Sequence, residues 1–449
     1  MASLSPAPEC YIQSILDTDA YKISMQQAIW ATFPDATVKY RFTNRGGTRF
    51  TRGMYTDVLK AINHLENVHL QPHERAFLEK HCPYLKLEFL DYLASYRFRP
   101  QEQVLLQFVP SGDVDEDGTE WGSFELEVRG TWKETILYEV PLMSIISEAY
   151  FTHVDQKWDY VGQYENAKQK GLQLFSAGCL LSEFGSRRRR TYRAHDIVMR
   201  GLLAASAEAA EQGMKGKLVG TSNVHFAMKY GTAPIGTIAH EFIMGIAAVE
   251  GYEGCNGRAM DLWEKVYPDG SLGIALTDTF TTRPFFDDFV SNPERAKRWK
   301  GLRQDSGDPF KFIETAKEAW LRVGEDPSKK IVVFSDSLDV DLCIKLKKAA
   351  DEAGIGCSFG VGTNLTNDFR RVEEPLQQEK PGEGEPRTGG EKSKALNMVI
   401  KLYSINDQPC VKISDELTKN TGDPEAVKLV KRRFGLEEHG EEAKWGPTV

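Results

Sequence analysis

From about Leu172 onward the chain settles into short apolar strands alternating with helical segments, and the strand candidates run into polar or glycine-bearing clusters. The candidates are Lys217–Val219, Pro234–Gly236, Gly273–Leu276, Lys300–Leu302, Ile331–Phe334 and Ile355–Phe359, with helical patterns such as Asp308–Arg322 and Asp339–Ala353 between them. That rhythm calls for a parallel sheet, closed into a barrel or doubly wound, because parallel neighbours need a crossover that a helix usually supplies. The clusters are Thr221-Ser222-Asn223, Thr237 with His240, Asp278-Thr279, Arg303 with Asp305, Ser335-Asp336, and Gly360-Val361-Gly362-Thr363. Parallel α/β folds bind ligands at the carboxyl ends of their strands. The sequence therefore predicts a single pocket shared by these clusters.

The flanks behave differently. Residues 1–171 read as an α+β unit: a helix opens over Asp17–Trp30, Thr37–Thr43 and Ser123–Val128 alternate like strands, and Pro141 starts an apolar helical stretch through Tyr150. The βα repeat is assigned to 172–372. Gln377–Lys394 holds no aliphatic or aromatic side chain, so 373–394 is expected to be a flexible surface insertion. Beyond it, Asn397–Ser404 and Cys410–Ser414 flank an Asn406-Asp407 turn, a hairpin pattern. A hairpin does not continue a βα repeat, so 395–449 is expected to return to the N-terminal unit and complete it.

Composition narrows the function. Hydrophobic residues make up 41% and charged residues 27%, which suits folded domains, and the net charge of −9 argues against a general nucleic-acid binder. An anionic small-molecule substrate stays compatible, since one basic pocket can sit on an acidic body. No apolar run approaches the roughly 18 residues of a membrane span, and Met1–Ser14 lacks the basic and apolar regions of a secretory signal. The seven cysteines are scattered without a C-x-x-C pair, and the nine histidines include no H-E-x-x-H. These features predict a cytoplasmic protein without a disulfide framework and without a metal site recognisable as a direct motif.

Four segments carry candidate chemistry. Gly360–Thr363 follows an apolar strand, so its glycines either form a tight turn or let backbone N–H groups and the Thr363 hydroxyl approach a phosphate. In Arg303–Pro309 (RQDSGDP), Asp308 and Pro309 suit a helix start, which leaves Arg303 and Asp305 unexplained by capping. His240, next to Glu241, is either structural or a general acid/base or phosphoryl acceptor. Glu183–Arg193 contains five arginines; it reads as a solvated helix face, as a crude nuclear-import run, or as a site where Arg187 or Arg188 binds a substrate anion beside the Phe184 ring. Near the start, Asp17 and Asp19 could cap a helix, and Tyr21 could be core.

Taken together, DTDAYK (Asp17–Lys22), FGSRR (Phe184–Arg188), GTSN (Gly220–Asn223), GTIAHE (Gly236–Glu241), RQDSGDP (Arg303–Pro309), FSDSLD (Phe334–Asp339) and GVGTNL (Gly360–Leu365) closely resemble the nicotinate phosphoribosyltransferase family, in order along nearly the whole chain. The resemblance implies an α/β fold of the type II phosphoribosyltransferases: an incomplete parallel α/β barrel with a second α+β domain formed from the N- and C-terminal segments. It implies that nicotinate and 5-phosphoribosyl diphosphate give nicotinate mononucleotide and diphosphate, coupled to ATP hydrolysis, in NAD salvage. The transition state has oxocarbenium character, so positioning and charge stabilisation should dominate.

By the same resemblance, Tyr21 and Phe184 sandwich the pyridine ring, Arg303 and Thr237 hold nicotinate, and Arg187 lies near the nicotinate or the diphosphate. Gly362 and Thr363 take the sugar 5-phosphate, Asp305 and Asp336 face ribose hydroxyls or Mg²⁺-bound diphosphate, and His240 is phosphorylated by ATP. His225 competes with His240 by residue type only. Ser222 stands where the related nicotinamide enzyme carries an aspartate; serine can donate to a carboxylate, which favours nicotinate over the amide. The implied cofactors are ATP and Mg²⁺, and the implied partners are small molecules and a second copy of the chain, with the arginine run leaving a nuclear location open. The rival readings are a nicotinamide or quinolinate phosphoribosyltransferase and a catalytically silent sugar-phosphate-binding barrel.

Overall fold

The computed structural model describes residues 11–268, 270–378, 380–416 and 420–436. Cys10, with most of the stretch Met1–Ser14, and the end of the C-terminal unit lie outside these residues. Two sheets organise the rest.

The first is antiparallel. It contains β1 (Thr37–Asn44), β2 (Phe50–Thr51), β3 (Val104–Val114), β4 (Glu120–Thr131), β14 (Met398–Ile405) and β15 (Gln408–Pro409), in the order β15-β14-β1-β4-β2 with β3 also on β4. Period-two patterning places Val38, Tyr40 and Phe42 of β1 on the core face. Met398, Ile400 and Leu402 of β14 are buried with them. Tyr40 pairs with Leu402 and Phe42 with Ile400, so the C-terminal segment is woven into the N-terminal sheet. Asn406 and Asp407 have φ of 45° and 60°, the left-handed pair of a tight hairpin turn.

The second sheet is parallel and has seven strands. Its order is β7 (Ala233–Pro234), β6 (Lys217–Thr221), β5 (Leu180–Glu183), β11 (Gly356–Val361), β10 (Ile331–Phe334), β9 (Gly301–Gln304) and β8 (Ile274–Leu276). Among the described residues β7 and β8 are edges, so the barrel is incomplete. Six of the strands match the sequence expectation to within a few residues. The seventh, β5, lies outside it: Leu180-Leu181-Ser182-Glu183 offers only two apolar residues, and its buried Glu183 looks unlike a central strand. Asp308 and Asp339 cap the following helices, accepting from Phe310 and Lys311 N–H and from Leu342 N–H.

A long helix, Glu139–His153, is buried nearly all round and packs on β14 of the first sheet and on the 3₁₀ turn that follows β5. The helix His240–Glu250 packs so closely on Trp132 that a Cβ on Gly245 would lie 2.3 Å from the indole. Trp132 Nε1 also donates to Glu241 Oε1 at 2.7 Å. This contact sets where the helix begins, and hence where His240 points.

The polar stretch before residue 394 is tied down without apolar side chains. Carbonyls of Gly382 and Glu383 accept from Tyr164 and Gly162 N–H at 3.1 Å, and Arg387 pairs with Asp159 at 2.5 Å. Composition alone points to a loosely held loop; backbone and ionic bonds anchor it instead. Phe369–Arg370 (β12) and Lys392–Ser393 (β13) close its base as a short antiparallel ribbon. Among the described residues no helix is long and apolar enough to cross a membrane, and Cys82, Cys179, Cys255, Cys343, Cys357 and Cys410 are all free.

Candidate active site

The carboxyl ends of the parallel strands open into a cavity of about 790 Å³, walled on the other side by β14 and the residues after it. Tyr21, Phe184, Arg187, His240, Arg303, Asp305, Asp336, Gly362 and Thr363 all line it. Loops spread over more than 340 residues of sequence thus meet at one place, and Tyr21 reaches the cavity within its own chain. Eight cationic side chains face five acidic ones around the wall, a basic pocket on an acidic chain.

His240 is the first residue of its helix and is 7% exposed. Its Nδ1 lies 3.0 Å from Thr279 Oγ1, and its Nε2 lies 2.9 Å from Lys412 Nζ and 3.1 Å from Asp305 Oδ2. Burial, followed by the Lys412 ammonium, pushes its pKa down to about 4. The imidazole is therefore neutral at pH 7. With the proton on Nδ1, Thr279 accepts it and the Nε2 lone pair faces Lys412, the arrangement a nitrogen nucleophile needs. Glu241 anchors the helix start: it accepts from Tyr40 and Trp132 and pairs with Lys22 at 2.5 Å.

Arg303 is oriented by three partners. Nε donates to Ser335 Oγ at 2.7 Å, Nη1 to Thr237 Oγ1 at 3.2 Å, and Nη2 to Asp305 Oδ1 at 3.0 Å. Its guanidinium lies 5.9 Å from the Phe184 ring centroid. Thr237 thus sits behind Arg303 rather than on the cavity wall. Phe184 in turn rests on Gly360, where a Cβ would lie 2.3 Å from the ring. Gly360→Ala is expected to drive the ring into the cavity at an overpacking cost of about 1–3 kcal/mol. The KM of a ring-bearing substrate bound against Phe184 should rise by roughly tenfold while the chain keeps its thermal stability to within a few degrees; an unchanged KM would show that Phe184 does not bound the substrate.

Comparison with known proteins places this geometry. The family model of the nicotinate phosphoribosyltransferase family matches residues 179–438, and the model of that family's N-terminal domain matches 16–147. The chain belongs to the nicotinate phosphoribosyltransferase family. The nicotinate phosphoribosyltransferase of Saccharomyces cerevisiae is 41% identical over 435 residues, 96% of each chain, and that of Methanosarcina mazei is 40% identical over 95% of this chain and all of its own. A crystal structure from Saccharomyces cerevisiae superposes with a TM-score of 0.86 at 40% identity, covering 95% of this chain and 99% of that one. The nicotinate phosphoribosyltransferase structure from Porphyromonas gingivalis gives 0.79 at 34% identity, with 94% and 100% covered.

Within this nicotinate phosphoribosyltransferase family frame, several residues sit elsewhere than their motifs suggest. Ser222 is 4% exposed and does not line the cavity. Its hydroxyl donates to Asp19 Oδ1 at 2.7 Å and its carbonyl accepts from Ala20 N–H at 2.7 Å. It clamps the start of the helix Ala20–Thr32 that carries Tyr21, so direct donation from Ser222 to a substrate carboxylate is not the geometry found. The arginine run is not a solvated face either. Arg189 is fully buried against Asp17 at 2.7 and 2.8 Å, and Arg190 is fully buried as well, because the chain passes through a 3₁₀ turn (Ser186–Arg188) that sends successive side chains inward. Of the run, Arg189 and Arg190 are buried while Arg193 is exposed. His225 binds the Tyr192 hydroxyl at 2.8 Å and lies off the cavity.

Arg188, the alternative to Arg187 as an anion ligand, lines the cavity beside it. Burial and the neighbouring Arg187 push the Arg188 pKa down to about 10. Motif reading misses Arg45, Lys401 and Lys412, which also line the wall. Lys401 has a legible signal, as the lone cation between apolar neighbours in MVIKLYSI. Lys412 has one too, in the apolar run Cys410–Ile413, but the pairing of β14 with β1 is what brings Lys401 to the site, and the bridge between Ile413 and Phe280 is what brings Lys412.

Proposed function

We propose that this chain transfers the phosphoribosyl group of 5-phosphoribosyl diphosphate to nicotinate, with ATP hydrolysis coupled through His240, yielding nicotinate mononucleotide for NAD salvage. The observation that carries the reading is the meeting, in one cavity, of two aromatic rings, a fixed guanidinium, a basic wall and a buried neutral histidine.

A pyridine ring fits between Tyr21 and Phe184, with its carboxylate toward Arg303 and Arg187. Its nitrogen lone pair attacks the anomeric carbon as the carbon–oxygen bond to diphosphate breaks, and the leaving group keeps the electron pair. Cations of the wall hold the departing charge, while Asp305 and Asp336 face the pentose, whose 5-phosphate lies toward Gly362 and Thr363. In the coupled step, His240 Nε2 bonds to the terminal phosphorus of ATP as the bond to ADP breaks. Thr279 holds the Nδ1 proton and Lys412 offsets part of the new phosphate's charge; water then attacks the phosphorus as the phosphorus–nitrogen bond breaks, releasing phosphate and returning Nε2 its lone pair.

Mg²⁺ fits the same region: His240, Asp278 and Asp305 place ligand atoms within 4.8 Å of one another, and Asp278 Oδ1 is buried without a hydrogen-bond partner among the described residues. Asp278 and Asp305 would hold the ion, which would screen phosphate charge, as Mg²⁺ does with one or two carboxylates. The deciding assay compares turnover of nicotinate with nicotinamide, with and without ATP. The reading predicts nicotinate turnover stimulated by ATP; preference for the amide, or diphosphate release from neither, overturns it.

One pH effect follows from the wall. Burial pushes the Lys401 pKa down to about 8. Below that pH it is cationic and attracts phosphate; above it the charge is lost. The KM for phosphoribosyl diphosphate should rise as pH passes through about 8, by roughly tenfold to a hundredfold for one charged contact. Lys401→Arg, whose charge persists, should move that limb to higher pH. A variant profile that overlays the wild type would contradict the assignment.

A further inference from the structure

Arg190 takes no direct part in the proposed reaction, and it joins the arginine run to the polar stretch before residue 394. Its side chain is fully buried. The guanidinium carbon lies 3.7 Å from the Phe151 centroid, 4.5 Å from Phe369 and 5.1 Å from Trp158, a cage of three rings. Nη2 donates to Ser393 Oγ at 2.8 Å, and Ser393 Oγ donates to Asp155 Oδ2 at 2.9 Å. Nε and Nη1 have no hydrogen-bond partner among the described residues. Burial pushes the pKa of this arginine down to about 9. A cation held this deep with one side-chain hydrogen bond is costly for folding, and a leucine or methionine would fill such a cage more cheaply. The cage and the hydrogen bond nevertheless grip one place: Phe369 and Ser393 are register partners across the ribbon of β12 and β13.

That ribbon borders the cavity at β13, and the segment leading into β12 borders it too. Thr363, Asn364 and Asn367 line the wall before β12, and Lys392, Ser393 and Lys394 line it at β13 and just beyond. Lys392 is further held by Asp368 at 2.8 Å. We propose that Arg190 is a positioning residue for polyphosphate binding, fixing the Phe369–Ser393 pair so that Lys392 and Lys394 stay on the cavity wall. The aromatic cage supplies attraction to the cation through the ring faces and excludes water from the bond to Ser393. This role rests on the reading of the cavity as a phosphoribosyl diphosphate site, with the lysine-bearing wall receiving its diphosphate end.

The test is calorimetric binding of inorganic diphosphate, with Mg²⁺, to the full chain and to Arg190→Met, Arg190→Lys and Ser393→Ala. Displacement of a binding group by about an ångström can cost up to roughly a hundredfold. Arg190→Met should weaken diphosphate by about ten- to a hundredfold, Ser393→Ala should do so by less, and Arg190→Lys should recover part of the loss. In steady state the KM for phosphoribosyl diphosphate should rise while the KM for nicotinate stays put. Equal diphosphate affinity in the wild type and Ser393→Ala, or a parallel rise in both KM values, would reduce Arg190 to packing and overturn the proposal. Absence of nicotinate transfer in the wild type would instead defeat the reading of the reaction, and the diphosphate comparison would still stand.

Discussion

Replacing His240 by alanine is expected to abolish transfer of labelled phosphate from ATP to the chain and to lower nicotinate turnover to its unstimulated level. The reason lies in what surrounds the imidazole. It is neutral because burial and Lys412 disfavour the imidazolium, and it is oriented because Thr279 accepts at Nδ1 and the Lys412 ammonium donates at Nε2, on opposite edges of the ring. A phosphate added there brings about two negative charges into the wall of cations that is the proposed diphosphate site. Coupling between sites that share charges in this way typically amounts to about 1–3 kcal/mol, a factor of roughly 5–150. The alanine variant should lose that factor in kcat/KM with ATP present and show little change without it. Rapid-quench labelling with γ-labelled ATP, read beside turnover, checks both parts. A variant that still takes label, or is still stimulated, would remove His240 from the coupling and return attention to the carboxylates beside it.

Arg303→Ala is the second large effect. The guanidinium is bound by Ser335, Thr237 and Asp305, so it is already organised before substrate arrives. Truncating one partner of a buried, hydrogen-bonded charge pair costs about 2–5 kcal/mol. Nicotinate kcat/KM should therefore fall between roughly thirtyfold and a few thousandfold, mostly through KM. Arg303→Lys should be intermediate at best, because an ammonium cannot reproduce three divergent donors in one plane. Phosphoribosyl diphosphate KM, measured in the same series, should move much less. Equal losses for both substrates would mean that Arg303 supports the strand ends generally and does not face the pyridine acid.

The barrel is legible because its strands announce themselves twice, as apolar runs and as the polar clusters that follow. β5 escapes because two leucines and a buried glutamate do not look like a central strand; Glu183 is tolerated there only because His195 and Thr221 satisfy it. A residue's place on the cavity wall is legible where it depends on its own strand end, as for Arg303, Asp305 and His240. It is not legible where the role depends on a partner far away. Ser222 looks like a substrate donor, yet Asp19, two hundred positions earlier, takes its hydroxyl. The arginine run looks solvated because nothing in sequence reveals that Asp17 meets Arg189 or that Ser393 meets Arg190. Lys401 reaches the cavity only through the return of β14 to the first sheet, and Lys412 through the bridge of Ile413 to Phe280.

The most direct measurement is a crystal structure with nicotinate and a non-reactive phosphoribosyl diphosphate analogue bound together. A pyridine ring is expected between Tyr21 and Phe184 of one chain, its carboxylate at Arg303, with the analogue's phosphates spread between Thr363 and the lysine wall near His240. Ligand density in a different cavity, or a pyridine whose carboxylate points away from Arg303, would contradict that arrangement.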